Sequence, residues 1–235
     1  MVIAIPSYKR PKFKTIQLLK DFDREDIFIF VNDDKEKADY EKENPGVNII
    51  ITGTKGITPA RNAIINYFKD DERIMMLDDD IEDFRVMKIV DLKKVLFSID
   101  NLKEFFLQGF ALCDKLGYKL WGVQMCSVGT FMTRKLNNDK FIIGTAMGII
   151  NRHLTFDEGL KLKEDYDYTM QHIKEYGGAL RFNFVTVKAG HYSNKGGCVD
   201  YRTEQLESDA CEVLLNRYPG KIIRNKLRKN EIIIL

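Results

Sequence analysis

The sequence has no Cys-x-x-Cys pair, no Gly-x-Gly-x-x-Gly turn and no Gly-x-x-x-x-Gly-Lys loop. The first absence, with Cys113, Cys126, Cys198 and Cys211 scattered singly, argues against a zinc knuckle or disulfide framework and for reduced thiols. The other two disfavour a dinucleotide-binding dehydrogenase and a P-loop NTPase. No apolar run is long enough to span a bilayer, and the N-terminus enters a short strand with no basic stretch before it. A soluble, cytoplasmic protein (host cytoplasm if the source is viral) with no membrane partner is expected. Charge of one sign is also lacking: 37 Lys and Arg against 35 Asp and Glu give +2, which selects no polyanionic partner for the chain as a whole. Internal repeats and low-complexity linkers are absent.

What is present is a chain of 235 residues, 44% hydrophobic, enough for a sizeable α/β core. Val2 to Ile5, Ile27 to Val31, Val47 to Ile51 and Ile74 to Leu77 are short apolar runs that read as buried strands. Helical spacing separates them: Phe13 to Leu19, Lys35 to Glu43, and Ala60 to Phe68, the last with Thr58 as N-cap and Pro59 at the first position. This alternation predicts a doubly wound parallel sheet with right-handed crossovers. After Asp80 the pattern breaks, and Ile81 to Val95 mixes apolar and charged pieces that fit neither period. Beyond it, a helix is expected over Leu102 to Leu116, strands over Tyr118 to Cys126 and Asp139 to Asn151, and a turn at Thr155 to Gly159. A helix over Asp165 to Tyr176 ends at Gly177, a strand covers Leu180 to Ala189, and a helix covers Tyr201 to Tyr218. The basic stretch Lys221 to Lys229 precedes an apolar end, Ile232 to Leu235, which reads as an added edge strand or a packing tail.

The chemistry concentrates where Ile74-Met75-Met76-Leu77 runs into Asp78-Asp79-Asp80. Three adjacent carboxylates repel one another and suit a hard divalent cation, Mg²⁺ or Mn²⁺. Alone, the triplet reads first as a polar turn closing a strand; the surrounding sequence reverses that reading. The loop Pro6-Ser7-Tyr8-Lys9-Arg10-Pro11 follows the first strand, where a doubly wound sheet opens its nucleotide crevice. Tyr8 is placed to stack on a base and Arg10 to meet a phosphate; a solvated basic turn is the alternative. Ala60-Arg61-Asn62 precedes the triplet, and Glu164, Asp165 and Asp167 open a helix, where acidic residues are also favoured as caps.

The order Thr58-Pro59-Ala60-Arg61-Asn62, an apolar helix, Ile74 to Asp80, then Glu164-Asp165 with Asp167, then His191, resembles the donor-site signature of glycosyltransferases of the GT-A fold. Ile5 to Pro11 together with Leu77-Asp78-Asp79-Asp80-Ile81 is similar to the TET-associated glycosyltransferases, linked to sugar transfer onto hydroxymethylated pyrimidines in phage DNA. The resemblance implies an α/β, Rossmann-like mixed sheet with helices on both faces. It implies a nucleotide-sugar half over 1–80 and an acceptor half over 81–235 of a single domain. Asp80, Asp78 and His191 become metal ligands, for Mn²⁺ rather than Mg²⁺ where an imidazole takes part. Asp165 becomes the general base of an inverting transfer. Pro6, Ser7, Tyr8, Arg10, Arg61, Asn62, Asp78, Asp79 and Lys195 line the nucleotide-sugar donor, a UDP-sugar by the family's habit. Glu164 orients substrate or caps the helix. The absence of Gln-x-x-Arg-Trp argues against a polymerising synthase.

A nucleic-acid acceptor needs a basic surface, for which Arg134, Lys135, Arg152, Lys221, Arg224, Lys226, Arg228 and Lys229 are candidates. A flipped base needs a wedge, from Phe131, Tyr192 or Trp121, although core packing is the default for Trp121. His153 and His172 read as structural or exposed. The rival readings are the same chemistry on a glycan, lipid or protein, and a non-catalytic nucleotide-sugar-binding module.

Overall fold

The computed structural model describes residues 1–126, 128–190 and 202–235. The first half alternates as the sequence predicts: β1 (Val2–Pro6), α1 (Thr15–Leu18), β2 (Ile27–Val31), α2 (Asp34–Glu43), β3 (Asn48–Ile51), α3 (Ile57–Tyr67) and β4 (Arg73–Leu77). Then come β5 (Ile81–Val90), β6 (Lys93–Ser98), α4 (Leu102–Lys115), β7 (Leu120–Gln124), β8 (Leu136–Asn137), β9 (Ala146–Ile150), α5 (Glu164–Tyr176), β10 (Leu180–Ala189), α6 (Glu204–Arg217), β11 (Ile222–Arg224) and β12 (Ile232–Ile234).

The main sheet runs β3-β2-β1-β4-β9-β7-β10-β5-β6, with β8 paired to β10. Strands β1 to β4 are mutually parallel, and β9 enters antiparallel between β4 and β7. The expected α/β, Rossmann-like mixed sheet is therefore present. Strand alternation sorts its side chains onto two faces. Ile3, Ile5, Ile27, Ile29, Met75 and Leu77 pack with Leu19 just after α1 and with Tyr40, Phe106 and Phe110 of α2 and α4. Ala4, Phe30, Ile74 and Met76 pack with Ile64, Ile65 and Tyr168 of α3 and α5 on the other. Each large side chain buried this way contributes about 1.5–3 kcal/mol. Trp121 is fully buried among Phe105, Phe106, Phe110 and Phe182, which removes it as a wedge for a flipped base. A third cluster joins Met170 of α5 to Cys211 and Leu214 of α6 and to Ile222, Ile232 and Ile234.

Several boundaries differ from the sequence reading. The α3 N-cap is Gly56, at φ 102°, and the helix begins at Ile57, each two residues ahead of the expected Thr58 cap and Pro59 start. A strand over Asp139 to Asn151 shrinks to Ala146–Ile150, and the residues before it form a loop. The unplaced Ile81 to Val95 is a long hairpin whose turn uses Asp91 and Leu92, both at positive φ. The apolar tail pairs with β11 as a separate two-stranded sheet. Among the described residues no helix is long and apolar enough to cross a membrane.

Candidate active site

Parallel strands present their C-terminal ends at one edge. There β1 delivers residues 7–10, β4 delivers Asp78 to Asp80, and β10 ends with the Gly190 amide donating to the Asp80 carbonyl at 3.2 Å. Strand β9, running the other way, begins at this edge, so Gly144 and Thr145 arrive beside the acids. The Asp78 amide donates to the Thr145 carbonyl at 2.9 Å.

The acidic turn is fixed by a residue that the sequence did not mark. Thr15, fully buried, donates its hydroxyl to the Asp78 carbonyl at 2.6 Å and accepts from the Ile81 amide at 2.9 Å. It thus brackets all three aspartates. No pattern of residue types around Thr15 announces this.

The three acids have different surroundings. Asp79 is buried, and its two oxygens accept from Ser7 Oγ at 2.6 Å and Arg10 Nη1 at 2.8 Å. Burial pushes its carboxyl above the ordinary value, against the pull of Ser7 and Arg10. Asp79 therefore ties the 7–10 loop to the strand end. Tyr40 of α2 adds a 2.6 Å hydrogen bond with Ser7 Oγ and accepts from the Arg10 amide at 2.9 Å. Glu36 accepts from the Lys9 and Asn32 amides, at 3.0 and 2.8 Å. Lys9 is held at φ 55°, its ammonium 4.8 Å from the ring of the exposed Tyr8. Asp78 and Asp80 are half-buried. Asp78 Oδ1 accepts from Arg61 Nη2 at 3.1 Å.

Arg61 is the junction of the site. Only 3% exposed, it reaches from α3 to Asp78 and, through Nη1, to Glu164 Oε1 at 2.6 Å. Its Nε finds no partner among the described residues. Burial opposes its charge, but Asp78, Glu164 and Asp165 outweigh that and raise its pKa. One guanidinium thus faces three carboxylates. Gly144 makes room for it: a Cβ there would lie 2.6 Å from Arg61 Nη1. The Gly144 amide meanwhile donates to Asp165 Oδ2 at 3.0 Å. Burial raises the Asp165 carboxyl above its usual value, opposed by Arg61 and by the Gly144 amide. Glu164 is raised by burial and by repulsion from Asp165.

Asn62, its neighbour on α3, performs a different task. Its side chain exchanges hydrogen bonds with the Phe156 backbone, at 2.9 and 2.8 Å, and donates to Glu158 at 2.9 Å. It fastens the 156–158 loop. Asp167 likewise belongs to packing: it is 1% exposed and accepts from Arg217 and from the Tyr218 hydroxyl, both at 2.7 Å.

The first turn of α5 is clamped by the C-terminal segment. Lys163, in the left-handed region at φ 62°, places its ammonium 2.7 Å from Glu207 of α6. The Tyr166 hydroxyl donates to the Ile232 carbonyl at 3.3 Å. His172 is buried in α5, and His153 is exposed and lies 3.3 Å from Asp70. Cys113, Cys126 and Cys211 are free thiols. His191 and Lys195, nominated for metal and phosphate, lie outside the described residues, as do Tyr192 and Cys198. Among the described residues no group of three or more His, Cys, Asp or Glu is arranged to hold a metal ion.

The structure thus brings together Pro6, Ser7, Arg10, Asp78, Asp79 and Asp80 at one strand edge, and joins Glu164 and Asp165 to them through Arg61. No curated protein matches the chain. The profile of the TET-Associated Glycosyltransferase family matches residues 1–197, which contain every one of these side chains. With most of its length so matched and its acids gathered at the sheet edge, the chain belongs to the TET-associated glycosyltransferase family.

Proposed function

We propose that the protein transfers a sugar, with inversion, from a nucleotide-diphosphate sugar of the UDP type to the hydroxymethyl group of a pyrimidine in DNA. The observation that carries this reading is the Arg61 bridge, which holds the strand-end Asp78 and the helix-start Glu164 on one guanidinium. In this reading the donor pyrophosphate lies at the Asp78 end of the bridge and the acceptor at the Asp165 end.

The 7–10 loop, rigid through Asp79, Tyr40 and Glu36, forms the nucleotide side, with Tyr8 exposed to receive a base and Arg10 near the phosphates. Asp165 removes the proton from the acceptor hydroxyl as that oxygen attacks the anomeric carbon. The carbon–oxygen bond to the diphosphate breaks on the opposite face, and its electron pair leaves with the nucleotide. The raised pKa of Asp165 suits a base that must hold a proton after the transfer. One base and one displacement give inversion.

A divalent cation is part of this proposal. Hard carboxylate oxygens from Asp78 and Asp80 stand at the strand end, both half-buried. Asp78, Asp80 and His191 would hold it, and when bound it would offset the charge that grows on the diphosphate leaving group. Mn²⁺ is the expected ion, with Mg²⁺ second. Lys195 completes the phosphate side in this proposal.

The test is transfer of labelled sugar from a panel of nucleotide sugars to duplex DNA with and without hydroxymethylpyrimidine, in the presence of Mn²⁺. Transfer to the modified duplex alone supports the reading. Transfer to a glycan or protein but to neither duplex would replace it.

A further inference from the structure

Most of the basic tail is already paired; of its cations only Lys221 and Lys226 have no acidic partner among the described residues. Arg224 pairs with Glu212, Arg228 with Glu231 at 3.3 Å, Lys229 with Glu204 at 3.1 Å, and Arg152 with Asp71 at 2.7 Å. A different set has no acidic partner among the described residues: Lys88, Lys93, Lys94, Arg134 and Lys135. All five are exposed; Lys88 and Lys93 project from one face of the β5–β6 hairpin, and Lys94 from the other, the face that meets the segment carrying Arg134 and Lys135.

The first segment is the β5–β6 hairpin. Its residues from Lys88 to Val95 are all exposed, with Leu92 at the turn 97% exposed. The second is the 128–135 segment, laid across it. Lys94 Nζ donates to the Thr130 and Met132 carbonyls at 3.2 and 2.8 Å, and the Thr133 amide donates to the Asn183 carbonyl at 3.2 Å. Phe131, 68% exposed, stands out from this segment, and Arg134 lines an adjoining pocket of about 290 Å³ with Met87 and Phe184.

Lysines on an edge strand commonly do no more than block strand addition. That account covers Lys93 and Lys94 but not Arg134 and Lys135, which lie outside β6. A protruding two-stranded ribbon with cations on both faces, joined through Lys94 to a segment that carries two further cations and an exposed aromatic ring, suits a phosphate backbone and its bases. The placement also fits. Strand β5 starts at Ile81, directly after Asp80, and spans 10 residues, so its far end lies roughly 30 Å away. One turn of B-DNA covers about 34 Å.

We propose that the β5–β6 hairpin and the 128–135 segment are a docking surface for nucleic acid, gripping the acceptor's backbone about one helical turn from the reacting base. This rests on the DNA-acceptor reading above, but it concerns binding and is tested by binding alone. Fluorescence anisotropy of a labelled, unmodified duplex, read across a salt series, compares three proteins. They are the parent, the K88E/K93E/R134E variant, and a tail variant, K221E/K226E, each checked for an unchanged thermal midpoint. The parent should bind, the hairpin variant should bind at least tenfold more weakly, and its slope of log affinity against log salt should fall by about three. The tail variant should follow the parent. A parent that does not bind duplex at low salt overturns the proposal. So does a hairpin variant that binds like the parent, or a parent that uses these residues for anionic vesicles and not for duplex. Duplex binding through the hairpin by a protein that transfers no sugar would count against the proposed reaction and leave the surface standing.

Discussion

Arg61 Nη1 lies 2.6 Å from Glu164 Oε1, across 103 residues of chain. The pair joins α3 to α5 beneath the strand-end acids, and it is almost wholly shielded from water. Removing the cation leaves buried carboxylates without a partner, so Arg61→Met should destabilise the fold by about 3–5 kcal/mol. Arg61→Lys should recover only part of this, because an ammonium cannot serve both Asp78 and Glu164 as the forked guanidinium does. Chemical denaturation of the three proteins checks both statements.

Gly144→Ala tests the same junction from the other side. A Cβ would meet Arg61 Nη1 at 2.6 Å and Nη2 at 2.7 Å, and that side chain is tethered at both nitrogens. A loss of about 1–3 kcal/mol is expected from overpacking, with a larger loss of transfer activity because Asp165 leans on the Gly144 amide. An Ala variant with full stability and full activity would contradict this geometry.

His172 should make stability depend on pH. It is buried against Tyr168, its Nδ1 is 2.9 Å from the Tyr168 carbonyl, and burial lowers its pKa to about 4. The folded state resists protonation while the unfolded chain titrates near its ordinary 6.5. The contribution is therefore complete above about pH 6.5 and declines as pH falls toward about 4, by about 3 kcal/mol in all. Denaturant midpoints of the parent and His172→Gln, compared across that window, should converge as the medium is acidified.

The clamp on α5 predicts a split between binding and rate. Glu207→Gln weakens the hold on Lys163, the residue before the acidic turn. A misplacement of the base by about 1 Å costs up to about a hundredfold in rate. Glu207→Gln should therefore lower kcat by tenfold or more while KM for the donor changes little. Glu207→Asp should restore part of kcat. A change in KM alone would refute the positioning role.

The sequence announced most of the frame, and the reasons are local. Strands β1, β2 and β4 are continuous apolar runs ended by polar turns, and Gly177 at φ 76° closes α5 as its C-cap position suggests. The β5–β6 hairpin was illegible because its turn uses Asp91 and Leu92 in place of glycine or asparagine, and because its buried positions Ile81, Phe84 and Met87 fall three apart. Among the acids, the cluster was readable but the division of labour was not. Asp79 lies between Asp78 and Asp80 in sequence, and only the fold shows it turned toward Ser7 and Arg10. Thr15 is similar: its hydroxyl matters because α1 crosses the strand end, a contact made 63 residues away in the chain.

The central claim is that Asp165 is the base of a sugar transfer at this edge. The most direct measurement is single-turnover transfer of labelled sugar to hydroxymethylated duplex by the parent and by Asp165→Asn, with donor binding measured separately. Asparagine keeps the shape and cannot take the proton, so transfer should fall by about 10²–10⁴-fold while donor affinity stays near that of the parent. An Asp165→Asn protein that transfers sugar at the parent's rate would contradict the account.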